Sequence, residues 1–192
     1  SLYDGRAALA SQPIRKIIRH GGQITLTTDS DLFQLQPEGR VFQRVDGLAG
    51  PLWDAESTED GLIVAGLHGL KRVSDRTVSA LYFTTQDAFA AKPSRRWPGG
   101  MLISDGRTIV LLERNGQTRV LVQNLPDLAT SIAEDNYGRL WLGTTTRGVL
   151  VAKPDASTPV EASLPVRADG LPDFGGPGLA VGFQQVLGGH TL

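Results

Sequence analysis

The sequence predicts an all-β fold of repeated four-stranded units, and three observations point to it. Glycine and proline are abundant, 23 and 11 among 192 residues, and they fall between short apolar runs, a composition that favours a turn-rich β domain over a helical one. The apolar runs have strand length and are bounded by Gly, Asp, Asn and Ser, the signal of strands and hairpins. The rhythm also repeats: taking Gly22, Gly61, Gly106 and Gly138 as equivalent turn positions gives spacings of 39, 45 and 32 residues. A period near 40 with four short strands per unit predicts β-propeller blades, the drift falling in variable outer loops.

Taken in order, residues 1–5 read as the end of a strand and its Asp-Gly turn, and residues 7–11 are too few to hold a helix alone. The first copy has strands at 14–19, 23–27, 32–35 and 41–45, with turns at His20-Gly21-Gly22 and Asp29-Ser30-Asp31. The second turns at Glu59-Asp60-Gly61 and Leu67-His68-Gly69, between strands at 62–66, 70–73 and 78–84. The third has strands at 101–103, 108–112 and 118–122. Its Asn115-Gly116 pair suits the two positive φ angles of a tight hairpin. The fourth runs through the polar turn at 135–138 and the turn at 145–148 to Asp169-Gly170-Leu171, which echoes Asp46-Gly47-Leu48. Blades are thus expected at about 13–50, 51–92, 93–126 and 127–171, with part-blades at 1–12 and 172–192. Both faces of a blade pack on neighbours, so apolar runs such as Leu140-Trp141-Leu142 are expected to be buried on both sides.

The fourth copy carries more. Ser131-Ile132-Ala133-Glu134-Asp135-Asn136-Tyr137-Gly138-Arg139-Leu140-Trp141-Leu142-Gly143-Thr144, followed by Arg147-Gly148-Val149-Leu150-Val151, resembles the repeat of the two-component-regulator propeller family. That repeat runs roughly I-x-E-D-x-x-G-x-L-W-x-G-T-x-x-G-L, and the match covers about twenty residues of this chain. The other three copies rest on strand-and-turn rhythm. The chain then reads either as a piece of a larger propeller or as a closed ring whose two ends combine into a fifth blade. The resembled family usually builds larger rings, which favours the piece.

Charge is nearly balanced, 19 basic against 20 acidic residues. No basic stripe points to nucleic acid and no like-charge run to a tail. The apolar runs fall far short of the ~18 residues that span a bilayer, so membrane attachment is expected only through segments outside this chain. Cysteine is absent, which removes disulfides, thiolate zinc sites and cysteine nucleophiles together.

Catalytic constellations are not visible in the spacing. There is no Gly-x-Ser-x-Gly, and His20, His68 and His190 all sit at expected turns. No histidine or carboxylate set has metal-ligand spacing, so no metal and no cofactor is expected. Gly176-x-Gly178 contains Pro177 and precedes a strand, so it lacks the helix N-terminus that phosphate binding uses. The carboxylates Glu59, Asp60, Asp105, Glu134 and Asp135 recur at one structural position, which argues for turn formation, since Asp accepts hydrogen bonds from turn amides. Trp141 is expected to pack between blades.

Trp53 and Trp97 stand eight and nine residues before Gly61 and Gly106, in what reads as the loop leading into each innermost strand. Such loops open on the central funnel. Arg95 and Arg96 adjoin Trp97, and Arg15 takes the corresponding place in the first blade. A cation-plus-aromatic cluster there would suit sugars, carboxylates or an acidic partner face. The bland alternative is a surface loop with a tryptophan plugging a blade junction.

The family resemblance implies a non-catalytic binding module: the periplasmic sensor propeller of a bacterial histidine kinase or diguanylate cyclase. It would work as a homodimer on small molecules that include saccharides. Two other readings stay open, a propeller lyase or lactonase with a funnel metal and a protein–protein scaffold, because propellers host all three.

Overall fold

The computed structural model describes residues 12–37, 39, 41–48, 50–155 and 158–163. Its described elements are all strands, in four sheets arranged as propeller blades. Residues 1–11 of the part-blade expected at 1–12, the part-blade expected at 172–192 and the Asp169-Gly170-Leu171 turn lie outside the described residues.

Blade one comprises β1 (Lys16–His20), β2 (Gln23–Thr27), β3 (Leu32–Leu35) and β4 (Phe42–Arg44), paired in that order. Blade two comprises β5 (Leu52–Thr58), β6 (Gly61–Gly66), β7 (Gly69–Ser74) and β8 (Thr77–Phe83). Blade three comprises β9 (Ala88–Pro93), β10 (Met101–Asp105), β11 (Thr108–Leu112) and β12 (Thr118–Gln123). Blade four has β13 (Ala129–Glu134), β14 (Leu140–Thr144) and β15 (Val149–Ala152). All neighbours within these blades are antiparallel. The blades touch through their first strands, β1 to β5, β5 to β9 and β9 to β13, which are therefore the innermost ones.

One expectation is corrected. The third blade begins with β9, so the expected boundary at 92/93 falls inside its innermost strand, and Gly106 belongs to the β10–β11 hairpin. Gly100, at the end of the β9–β10 loop, is the true counterpart of Gly22, Gly61 and Gly138, and the spacings become 39, 39 and 38 residues. The error arose because β9 reads Ala-Phe-Ala-Ala-Lys-Pro, small residues with weak strand character. They are small because Ala88, Ala90 and Ala91 are fully buried at the crowded centre.

Among the described residues the fourth blade has three strands, and residues 164–171 of its expected range lie outside them. The returning segment pairs β16 (Val160–Glu161) parallel to β12 of blade three, at an edge that would otherwise leave its ladder unpaired. Ser163 then bridges to Val151 of blade four through two backbone hydrogen bonds of 2.7 and 2.9 Å.

The core is divided, one apolar cluster to each blade junction. Ile18, Leu32, Val45 and Leu48 meet Leu52, Ala55, Leu62, Val64 and Val73 between blades one and two. Ile63, Ala65 and Leu70 meet Ala88, Ala91, Met101, Ile103, Val110 and Leu112 between blades two and three. A third cluster, centred on Leu102, Leu111, Ile132, Leu140 and Leu142, joins blades three and four. Successive residues of a strand point to opposite faces, so Leu62 and Val64 serve one junction while Ile63 and Ala65 serve the next.

Candidate functional site

The inner strands carry a charged network across three blades. Lys16 Nζ on β1 donates to Asp54 Oδ1 at 2.9 Å, Glu56 Oε1 at 2.7 Å and the Ala55 carbonyl at 2.7 Å on β5. Lys92 of β9 pairs with the same Glu56 oxygen, and Asp54 Oδ2 accepts the Ala91 amide at 3.2 Å. Asp54 and Glu56 are two residues apart on one strand, so both project from the same face. Burial alone would lower the Lys16 pKa, but the charge of Asp54 and the hydrogen bonds that Lys16 donates to Asp54 and Glu56 outweigh it and raise the value. These carboxylates are thus held by cations and amides of neighbouring blades. Sequence reasoning overlooked them because Asp54 and Glu56 lie inside a strand with no motif around them.

The sequence-predicted residues separate into two groups. Arg15 immediately precedes β1 and pairs with Asp29, and Trp53 sits near the start of β5. Both belong to the face where the inner strands begin, here the upper face. Trp53 lies within β5 rather than in a loop; it is 46% exposed, donates from Nε1 to Asp87 Oδ2 at 3.3 Å and packs 5.4 Å from the Phe89 ring. Arg95, Arg96 and Trp97 lie in the loop leaving β9, at the opposite, lower face. Trp53 and Trp97 therefore do not share a site, and the mis-phased Gly106 is the reason they were aligned.

The lower-face group is a built structure. Glu134, the last residue of β13, accepts Ser94 Oγ at 3.1 Å and the amides of Arg95 at 2.6 Å and Arg96 at 3.3 Å. Arg96 Nη1 donates to the Pro154 carbonyl at 2.8 Å. The Trp97 ring has the Arg96 guanidinium 4.8 Å and the Arg119 guanidinium 5.5 Å from its centroid, distances typical of cation–π contact. This fixes the β9–β10 loop to blade four. The Arg95 side chain is exposed.

Two depressions flank this loop. The smaller, about 370 Å³, is lined by Arg96, Trp97, Pro98, Gly100, Glu113, Arg114 and Asn115. The larger, about 890 Å³, opens between blades two and three. Its apolar wall includes Ile63, Leu81, Met101 and Leu112, and its polar groups include Glu59, Asp60 and Arg72. Arg72 stands two residues after Leu70 on β7 and so faces blade three with it. An arginine in an apolar row was the signal available in the sequence, and it was missed.

The polar turn at 135–138 is mainly structural. Asp135 accepts the amides of Tyr137 and Arg139, both at 2.9 Å, Arg139 Nε at 2.7 Å and Trp141 Nε1 at 2.9 Å. Trp141 is thus tied to its own blade's turn, under Arg139 at 4.9 Å, rather than packed in the junction cluster. Among the described residues, no group of three or more His, Asp or Glu is placed to hold a metal ion.

Residues 126–146 match the two component regulator propeller family. The fourth blade carries this repeat. Solved structures with the same fold include the extracellular domain of the putative one component system BT4673 from B. thetaiotaomicron, at TM-score 0.63 and 18% identity over 76% of this chain and 21% of that one. The extracellular domain of the putative hybrid two component system BT3049 from the same organism gives 0.54 and 18% over 73% and 20%. The Neurospora crassa Pan2 WD40 domain gives 0.56 and 15% over 77% and 48%. This chain spans about a fifth of the length of the two extracellular domains. No curated protein matches the sequence.

Proposed function

We propose that this chain is part of the ligand-sensing, extracytoplasmic propeller of a bacterial two-component or cyclic-dinucleotide signalling protein, non-catalytic itself. The observation that carries the reading is the pair of open depressions around the β9–β10 loop, the larger of which offers binding surface at a blade junction. The inner carboxylates, by contrast, are engaged in cross-blade ion pairs. The fourth-blade repeat and the likeness to extracellular domains of bacterial signalling systems support the cellular setting. A ligand seated between two blades would favour one relative placement of them, and a homodimer would pass that preference to an output domain.

Ligand-observed NMR on the purified 192-residue chain, with a panel of sugars and organic acids, tests the proposal. At least one compound is expected to bind saturably and to remain chemically unchanged over hours. Binding should also raise the melting temperature, since a ligand at 100 times its Kd adds about 2.7 kcal/mol. Conversion of the bound compound into product would overturn the non-catalytic reading. An alkaline phosphatase fusion to the native gene should be active, reporting an extracytoplasmic location; an inactive fusion would contradict it.

A further inference from the structure

We infer that Arg72 anchors a site for a small, partly apolar monocarboxylate in the cleft between blades two and three. The inference rests on reading the chain as a binding module and specifies the chemistry of its larger cleft.

Among the described residues Arg72 and Arg119 are the two arginines whose Nε is buried without a hydrogen-bond partner, and Arg119 pairs with Glu113 through Nη2 at 3.6 Å. Arg76 donates to the Arg44 carbonyl, Arg96 to the Pro154 carbonyl and Arg139 to Asp135. Arg72 lines the cleft with its Nε buried and without a hydrogen-bond partner. A buried donor with no acceptor is costly, and native proteins leave few of them. The guanidinium is also a planar fork that matches a carboxylate through two parallel hydrogen bonds. A bound carboxylate would supply the acceptor that the protein does not.

The surroundings limit what the carboxylate belongs to. Ile63, Leu81, Met101 and Leu112 give the cleft an apolar wall, suited to a hydrocarbon body. Glu59, Asp60 and Glu113 also line it, against Arg72 and Arg114. The lining is thus net negative by one charge, so a single carboxylate is accommodated only against Arg72 itself, and a multiply charged anion such as phosphate is repelled. The volume of about 890 Å³ lies within the usual range for small-molecule sites.

The chain contains a single methionine, Met101, and it lines this cleft. Protein labelled with 13C at the methionine methyl therefore gives one reporter resonance inside the proposed site. Titration with hexanoate is expected to shift that resonance saturably. Hexanol and inorganic phosphate should need at least tenfold higher concentration for any comparable shift. Arg72→Gln should weaken hexanoate at least tenfold, Arg72→Lys less, and the exposed control Arg19→Gln under twofold. If Arg72→Gln does not fold, the graded loss in Arg72→Lys and the contrast between hexanoate and hexanol in the unmutated chain carry the test. Hexanoate binding that ignores both Arg72 variants, or phosphate binding more tightly than hexanoate, overturns the Arg72 site and leaves the module reading standing. If neither hexanoate nor any compound of the wider panel binds, both fall.

Discussion

Asp135 shows how one residue defines a blade turn. Burial opposes its ionisation, but hydrogen bonds from Trp141 Nε1, the Arg139 amide and side chain and the Tyr137 amide outweigh this and lower its pKa to about 2. Asp127 behaves likewise. Burial again acts upward, yet the Thr146 amide, the Thr145 and Thr146 hydroxyls and the Leu128 amide hold its carboxyl well below the usual range. A depressed carboxylate pKa stabilises the fold above its unfolded value and loses that contribution as pH falls toward the folded value. For Asp135 the loss should run from about pH 4 down to about pH 2. Asp135→Asn should cost about 1–3 kcal/mol at pH 7. In urea melts across pH, its deficit relative to the unmutated chain should shrink over that acid window. A deficit that stays constant to pH 2 would contradict the assignment. The turn role of Asp135 was legible in the sequence because an Asp at the start of a tight polar turn acts locally. The bond to Trp141 was not, since a tryptophan in a strand looks like core.

At the scale of the element, β6 illustrates why blades pack on both sides. All six of its residues are buried, and alternation sends Leu62 and Ile63 to different junctions. Leu62→Ala should cost about 2–5 kcal/mol through lost burial and the cavity left behind, read from the urea midpoint at unchanged slope. A cost below about 1 kcal/mol would mean that the junction between blades one and two is not closed as described. The following turn is tighter still. Gly69 has φ of 118°, and a Cβ there would stand 2.2 Å from the Tyr82 carbonyl oxygen. Gly69→Ala should therefore lower stability by more than ~2 kcal/mol, whereas alanine at Gly116, where no atom lies within 4 Å of the added Cβ, should cost less. Strongly apolar strands such as β6 and β11 were readable from their sequence alone. The alanine-rich β9 was not, because its burial comes from crowding around the axis, a tertiary effect with no local periodicity. Missing that one strand put Gly106 out of phase and joined Trp53 to Trp97 across the molecule.

For the whole molecule, the blades are joined at the centre by charge as well as by apolar area. Glu56 accepts from Lys16 of blade one and Lys92 of blade three, so one carboxylate ties three blades together. Its side chain is only 17% exposed, against 36% for Lys16 and 29% for Lys92. The lysines would repel each other without it, and partial exposure leaves that repulsion open to screening by salt. Such a network could not be read from the sequence, because its members are about forty residues apart and meet only once the period has been folded. Glu56→Gln keeps the size and one acceptor oxygen while removing the charge. It should destabilise the chain by about 1–3 kcal/mol at 50 mM salt, and the deficit should shrink as the salt rises toward 1 M, where the screening length falls to about 3 Å. Urea melts of both proteins at the two salt concentrations give the answer. A deficit that does not change with salt would assign Glu56 to packing and hydrogen bonding alone, and the inner strands would then be held by their apolar junctions without help from the charged axis.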